Sequence, residues 1–271
     1  MAPRSGAADA PTALALRVLR HGGTAADPLR PPLLIVHGLF GSARNWGSIA
    51  RHLGQDRPVL VPDLRNHGES PRDPRHDYPA LAADLAALIE AEGGPMDVAG
   101  HSMGGKAAMT LALTRPDLVR RLVVLDIAPV AYPRDRMAEI EAMRRVDPGQ
   151  VASRVEAQAA MGLDDPATAA FLIQSLDLKG RRWRLDLDAL AGNMQAIMGF
   201  PAMQGQFGGP SLFLSGEDSD YVQPEHRATI RRLFPAARFA RIRGAGHWLH
   251  ADRPRETEAA LRAFLDAPDP A

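Results

Sequence analysis

Short runs of apolar residues recur along the chain, and most of them have the length and composition of a strand buried on both faces. Between several of them, apolar residues recur every three to four positions, which is the spacing of a helix with one buried face. The predicted strands cover residues 13–19, 33–36, 59–61, 96–99, 122–125, 212–214 and 238–242, and the predicted helices cover residues 80–90, 103–113, 224–234 and 254–265. This alternation predicts an α/β fold with a mainly parallel sheet flanked by helices.

Residues 129–207 break the alternation, because they contain no strong strand run. They instead hold several helix-like segments separated by Pro148-Gly149, Gly162 and Gly180. We interpret residues 129–207 as a helical cap, or lid, inserted after the sixth strand. The core domain is then formed by residues 1–128 together with residues 208–271.

The sequence Gly100-His101-Ser102-Met103-Gly104 lies between a predicted strand and a predicted helix. A Gly-x-Ser-x-Gly pattern in that setting can hold a serine on a sharp, strained turn as an exposed nucleophile. A serine hydroxyl is a weak nucleophile at neutral pH, so it needs a base within hydrogen-bond reach and an acid that orients the base. Ser102 is therefore the candidate nucleophile.

Three histidines follow Ser102 in the chain, and one of them lies directly after the last predicted strand. This is His247, in a loop that opens at the carboxyl edge of the sheet, where open α/β folds place their chemistry. His226 falls within a predicted helix and is expected on its surface, whereas His250 is expected to support the loop. We expect His247 to be the base.

An acyl-transfer site also needs two backbone N–H groups directed at the developing oxyanion. Met103, which follows the nucleophile, is expected to supply one of them. The loop His37-Gly38-Leu39-Phe40-Gly41 follows an early strand and is expected to supply the other. Leu39 is the preferred donor in that loop, with Phe40 as the alternative.

Three segments of the chain carry a resemblance to the α/β-hydrolase superfamily over about residues 33–265. They are residues 63–70 (DLRNHGES), residues 100–106 (GHSMGGK) and residues 244–248 (GAGHW). Together they resemble a narrower group, the family of the bacterial esterase YbfF and its animal relative, abhydrolase domain-containing protein eleven. The resemblance implies hydrolysis of carboxylic esters and acyl thioesters without a metal or an organic cofactor.

The acid partner of His247 has more than one candidate. The superfamily most often places it in a Gly-x-x-Asp-x-x-Val pattern after the strand 212–214, but Ser219 stands at that position here, flanked by Asp218 and Asp220. Members of the narrower group have an aspartate after the strand that follows the nucleophile helix, and Asp126 is the matching residue. We favour Asp126, with Asp218 and Asp220 as alternatives and Glu217 as a remote one.

Other functions remain open at this stage. The same three groups serve carbon–carbon bond hydrolysis of diketones and cofactor-free perhydrolysis, which are the alternatives to ester or thioester hydrolysis. A binding protein that keeps the fold without catalysis is a remote alternative. For residues near the motifs, we expect an ion pair to pin the loop at Asp63 and Arg65, and a packing or surface role for Lys106.

The composition of the chain limits the classes of binding partner that are expected. The chain of 271 residues has 32 basic and 32 acidic residues, so we expect no general affinity for nucleic acid. It has no cysteine, which excludes disulfides and zinc–thiolate sites. No apolar run approaches the roughly 18 residues that span a bilayer, and residues 1–11 lack the apolar core of a signal peptide. We expect a cytoplasmic enzyme without stable membrane insertion, acting on a small acyl ester or thioester.

Overall fold

A computed structural model of the protein describes residues 11–22 and 30–268. The expectation about residues 1–11 falls almost wholly outside this part of the chain. The strands of the described residues are β1 (Val18–His21), β2 (Leu33–Val36), β3 (Val59–Pro62), β4 (Met96–His101), β5 (Val119–Leu125), β6 (Leu176–Asp177), β7 (Arg182–Trp183), β8 (Ser211–Gly216) and β9 (Ala237–Ile242).

Seven of these strands form one sheet, in the order β1-β3-β2-β4-β5-β8-β9. The strand β1 is antiparallel to β3, and the other neighbours are parallel. The carboxyl ends of β2, β4, β5, β8 and β9 therefore meet at one edge. From β2 the chain continues to β3, towards one edge strand of the sheet, whereas from β4 it continues to β5, towards the opposite edge strand. Open α/β sheets bind ligands where the strand order reverses in this way.

The helices lie on both faces of the sheet. They are α1 (Gly47–Leu53), α2 (Tyr78–Ala91), α3 (Met103–Thr114), α4 (Met137–Arg144), α5 (Arg154–Met161), α6 (Pro166–Leu172), α7 (Leu187–Gly192), α8 (Met194–Met198), α9 (His226–Leu233), α10 (Leu249–Asp252) and α11 (Pro254–Leu265). None of the helices in the described residues is long and apolar enough to cross a membrane.

The alternation of side chains along β2 shows how one strand serves two cores. Leu34 and Val36 pack with residues of α2, α3 and the 129–207 segment. Leu33 and Ile35 face the opposite way and pack with residues of α1 and α11. All four side chains are fully buried, which explains why this strand is a continuous apolar run.

The segment 129–207 follows β5, which is the fifth strand of the described residues rather than the sixth. The expectation counted six strands before this segment, and the described residues have five. The segment contains α4 to α8, and it also contains a two-stranded hairpin, β6–β7, that the sequence pattern did not predict. Strands of two residues are too short to show a period.

The first strand also differs from its prediction. Residues 13–19 alternate in the manner of a strand, but β1 covers Val18–His21 and pairs with β3. The preceding residues are instead held by side chains, since Leu14 N–H donates to Asp84 and Arg17 N–H donates to Ser70. Local alternation could not reveal where pairing with β3 begins.

Candidate active site

Ser102 lies in the turn that joins β4 to α3, at the carboxyl edge of the sheet. Its backbone has φ of 52° and ψ of −120°, a conformation that residues other than glycine rarely adopt. The turn is tight, because a Cβ on Gly100 would lie 2.3 Å from Gly104 O, and a Cβ on Gly104 would lie 2.4 Å from His37 O. Glycine at both positions therefore lets the backbone close around the serine.

His247 bridges Ser102 and Asp126. Its Nε2 lies 3.0 Å from Ser102 Oγ, and its Nδ1 lies 2.7 Å from Asp126 Oδ2. The three residues come from the turn after β4, the loop after β9 and the residue after β5. A hydroxyl, an imidazole and a carboxylate joined in this order is the arrangement that activates a serine for nucleophilic attack.

Asp126 is fully buried and has φ of 52°, so its backbone is also in the left-handed region. Its Oδ1 accepts a hydrogen bond from Gly216 N–H at 3.1 Å, and its Oδ2 accepts one from the Ser219 hydroxyl. A buried carboxylate needs such donors to compensate for lost solvation. These contacts fix the carboxylate in the direction of His247.

The alternative acids lie elsewhere. Asp220 is exposed and pairs with Arg134 at 2.6 Å, and this hydrogen bond lowers the pKa of Asp220. Asp218 is exposed, and its backbone N–H donates to Ala245 O. Glu217 accepts a hydrogen bond from Gly244 N–H. Of these side chains, the described contacts bring none to His247.

The two candidate N–H donors of the loop after β2 differ in what they contact. Phe40 N–H donates to His67 Nε2 at 3.2 Å, whereas the described residues provide no acceptor for Leu39 N–H. Met103 is the first residue of α3, where an N–H has no acceptor within the helix. The geometry therefore leaves Leu39 and Met103, rather than Phe40, with N–H groups available to a ligand.

Two residues that the sequence reasoning missed hold the imidazole of His247. The Tyr221 ring stacks on it, with centroids 3.8 Å apart and planes inclined by 16°. His101 Nε2–H donates to the backbone carbonyl of His247 at 2.8 Å. His101 is part of the Gly-x-Ser-x-Gly pattern, and Tyr221 stands two residues after Ser219, so both were near recognised motifs.

The remaining candidate histidines support loops. His250 is half-buried and stacks on Trp46 at 4.4 Å, and loss of solvation lowers its pKa to about 3. His226 is half-buried at the start of α9, where its Nδ1 accepts a hydrogen bond from Gln223 N–H. Neither histidine contacts Ser102 in the described structure.

Buried neutral histidines also lie behind the loop that carries Leu39. His37 Nε2 accepts from Leu64 N–H at 3.0 Å, and His67 Nδ1–H donates to Arg65 O at 2.9 Å. Burial lowers the pKa of both imidazoles. Each ring thus has one nitrogen that must stay unprotonated to accept a backbone N–H, which fixes the loop in one conformation.

The expected ion pair between Asp63 and Arg65 was wrong. Arg65 pairs with buried Asp84, at 2.7 Å and 2.8 Å, instead of with Asp63. Asp63 accepts backbone N–H groups from Ala43 and Glu69 and so still pins its loop. Sequence proximity suggested the Asp63–Arg65 pair, but both residues lie after the end of β3 at Pro62, where the chain turns and the two side chains find different partners.

Lys106 does not lie on the surface, because it is 1% exposed and lines the cleft above Ser102. The open volume of this cleft is about 740 Å³. Its walls combine aromatic and apolar side chains from the core and from the 129–207 segment, among them Tyr78, Tyr132, Phe171, Met198, Tyr221 and Trp248. No residue of the described lining is acidic, whereas Lys106 and Arg136 are basic.

The described residues contain no group of three or more histidine, aspartate or glutamate side chains placed to hold a metal ion. The side chains that meet at Ser102 are the imidazole of His247 and, behind it, the carboxylate of Asp126.

Comparisons with known proteins agree with this geometry. Residues 31–254 match the model of the family described as alpha/beta hydrolase fold. The chain is 41% identical to the sn-1-specific diacylglycerol lipase ABHD11 of Mus musculus over 88% of its length and 82% of that protein. It is 39% identical to the esterase YbfF of Escherichia coli, over 87% of its length and 93% of that protein.

A solved structure described as a marine microorganism esterase superimposes with a TM-score of 0.87 at 34% identity, covering 93% of this chain and 100% of that one. The family match spans most of the chain, and the similar relatives share its length. The resemblance and the fold expected from the sequence are therefore confirmed, and the chain belongs to the alpha/beta hydrolase family.

Proposed function

We propose that this protein is a serine hydrolase that cleaves carboxylic esters or acyl thioesters through an acyl-enzyme. The observation that carries the proposal is the hydrogen-bonded chain from Ser102 Oγ through His247 to Asp126, with distances of 3.0 and 2.7 Å. The relatives named as an esterase and a diacylglycerol lipase support ester chemistry. Cleavage of thioesters rests on the shared acyl-transfer mechanism.

In the proposed reaction, Ser102 Oγ attacks the substrate carbonyl while His247 Nε2 accepts the hydroxyl proton. Asp126 holds the imidazole by its Nδ1–H and stabilises the imidazolium that forms. His247 then protonates the leaving alcohol or thiol, and the acyl group stays on Ser102. Water, deprotonated by the same imidazole, attacks the acyl-enzyme and releases the carboxylic acid.

The oxyanion of each tetrahedral intermediate is proposed to bind the N–H groups of Leu39 and Met103. Phe40 is a poor donor, because its N–H is already bound to His67. One donor of this kind contributes about 3 kcal/mol to lowering the barrier. The negatively charged oxygen also faces the N-terminal end of α3, whose dipole favours an anion.

The test is Ser102→Ala, assayed on p-nitrophenyl butyrate and on butyryl-CoA, together with labelling by a fluorophosphonate. We expect kcat to fall by at least about 10⁴-fold on both substrates and labelling to disappear, because the nucleophile is removed. Ser48→Ala is the matched control, since Ser48 is an exposed serine on α1. Retention of activity in Ser102→Ala would rule out the proposed mechanism.

A further inference from the structure

Lys106 is a buried cation in the candidate cleft for which the proposed mechanism has no use. It is the fourth residue of α3, four positions after Ser102, and it is 1% exposed. Its backbone N–H donates to Ser102 O at 3.0 Å. Lys106 and Ser102 both line the same cleft.

The partners of the Lys106 ammonium carry no formal charge. Its Nζ donates to Met198 O at 3.0 Å and to Gly199 O at 2.5 Å, at the end of α8. It also lies 4.8 Å from the ring centroid of Tyr132 and 5.7 Å from that of Tyr78. An ammonium has three N–H groups, and the described residues provide oxygen acceptors for two of them.

The described residues provide no counter-charge for the Lys106 ammonium, so an anion would complete its surroundings. Buried charges in proteins are normally paired, because an isolated charge loses its hydration without compensation. Burial lowers the pKa of Lys106 to about 7, and no neighbouring carboxylate opposes that shift. Its place in the first turn of α3 adds to the penalty, since the positive end of the helix dipole repels a cation.

We propose that Lys106 binds a carboxylate carried by the substrate, so that the preferred esters or thioesters end in a carboxylate on the acyl side or on the leaving-group side. The inference rests on the proposed function for the identity of the reacting bond. A substrate carboxylate supplies both the third acceptor and the counter-charge. The cleft suits such a group, because none of the described residues that line it is acidic.

Arg136 is the second cation of the cleft, but its guanidinium already has partners. It donates to Glu139 at 2.7 Å and to the Tyr221 hydroxyl at 2.5 Å. Lys106 has no ion-pair partner among the described residues. The carboxylate is therefore assigned to Lys106, with Arg136 adding to the positive potential of the cleft.

A purely structural role for Lys106, which fastens α8 to the core through two carbonyls, makes a different prediction. Lys106→Gln separates the two roles, because the side-chain amide of glutamine keeps two N–H donors for Met198 O and Gly199 O but carries no charge. Arg144→Gln is the matched control for the loss of one positive charge. Arg144 lies on α4, is exposed, and is not part of the cleft.

The experiment measures binding to Ser102→Ala protein by titration calorimetry, with esters in matched pairs. The acyl-side pair is monophenyl succinate and its neutral amide, phenyl 4-amino-4-oxobutanoate. The pair for the leaving-group side is 4-acetoxybenzoate and 4-acetoxybenzamide. We expect the carboxylate member of one pair to bind about tenfold tighter or more than its amide, and that pair identifies the side.

The ratio of carboxylate affinity to amide affinity is expected to fall to about one in Ser102→Ala/Lys106→Gln and to stay high in Ser102→Ala/Arg144→Gln. A ratio near one in both pairs would overturn the proposal, as would a preference that survives Lys106→Gln. The ratio of the two affinities is a binding measurement, and the Ser102→Ala assay shows separately whether this protein turns the esters over. Failure of hydrolysis is seen separately, in the Ser102→Ala assay of the unmodified substrates.

The pH dependence gives a second readout that a fastening role would not produce. Lys106 loses its charge as the pH rises through about 7, so the carboxylate preference should fall towards one between about pH 7 and pH 9. The other titratable groups facing the cleft are Tyr78 and Tyr132, whose pKa values are raised by burial, His37, His101 and His250, whose pKa values are lowered by burial, and Arg136, Tyr221 and His247. A pH dependence that persists in Lys106→Gln would assign the effect to one of these groups and overturn the proposal.

Discussion

Two loops at the carboxyl edge of the sheet offer carboxylates to the same imidazole, and they differ in burial. The loop after β5 carries Asp126, which is fully buried and lies 2.7 Å from His247 Nδ1. The loop after β8 carries Asp218 and Asp220, which are exposed. Both loops are close to His247 in the fold. The direction and the burial of a carboxylate therefore decide whether it pairs with the imidazole.

The second loop has a different part in the site. Ser219 stands where an aspartate is most common, and its hydroxyl donates to Asp126 instead of accepting from His247. The same loop contributes Gly216 N–H to the other carboxylate oxygen and stacks Tyr221 on the imidazole. One loop therefore supplies the charge, and the other orients it and shields it from water.

Removing the negative charge of Asp126, in the loop after β5, is expected to have the largest effect on kcat. Asp126→Asn keeps the size of the side chain but no longer stabilises the imidazolium or fixes the required tautomer of His247. We expect kcat on p-nitrophenyl butyrate to fall by about 10⁴-fold, by analogy with other triads. Steady-state kinetics measure this directly. A loss of less than about tenfold would contradict the assignment of Asp126.

Moving the charge to the second loop tests whether the two loops are interchangeable. Ser219→Asp in the Asp126→Asn background places a carboxylate beside residue 126, at the position usual for the superfamily. We expect about a ten- to hundredfold recovery of kcat relative to Asp126→Asn alone. Ser219→Asn in the same background is the uncharged control. Equal activities of the two double variants would show that the second loop cannot reach His247.

Removing only the support from the second loop should have a moderate effect. Ser219→Ala deletes one of the hydrogen bonds that Asp126 accepts, while Gly216 N–H remains on the other oxygen. A charge-assisted hydrogen bond contributes about 1.5 to 3 kcal/mol, part of which water can replace. We expect kcat/KM to fall about three- to tenfold, with an unchanged thermal unfolding midpoint as the control for folding.

The exposed carboxylates of the second loop should matter least. Asp220→Asn breaks an exposed pair with Arg134, and Asp218→Asn changes a side chain in solvent. Exposed pairs contribute about 0 to 1 kcal/mol to stability. We expect each variant to retain kcat/KM within about twofold and the free energy of unfolding within about 1 kcal/mol in urea titrations. A large loss of kcat in either variant would reverse the comparison between the loops.

Most strands of the parallel sheet were predictable because they contain runs of residues that are buried on both faces. The runs at 33–36 and 122–125 lie within β2 and β5, and the helix predicted at 254–265 matches α11. The hairpin β6–β7 was not predictable, since it consists of two residues on each side and depends on contacts within the 129–207 segment. Hydrophobic periodicity indicates which face of a helix or strand is buried, and two-residue strands are too short to show it.

Candidate site residues were predictable where the backbone conformation requires a particular residue type, such as glycine. The glycines around Ser102 are needed for a tight turn and are visible as a motif. The preference for Asp126 came from the resemblance, and Asp218 and Asp220 stayed open as alternatives, because one residue of shift after a strand reverses the direction of a side chain. The burial of Lys106 was also hidden, since it depends on α8 and Tyr132, which are distant in sequence.

The left-handed backbone at Phe40, Ser102 and Asp126 has a consequence for how this protein can be changed. Each of these residues adopts a conformation that glycine tolerates better, at φ of 62°, 52° and 52°. Strain of this kind costs on the order of 1 to 3 kcal/mol at each position. The surrounding sheet and loops must therefore hold these residues in strained conformations. Replacing Ser102 with glycine would relieve the strain at that turn and would remove the proposed nucleophile at the same time.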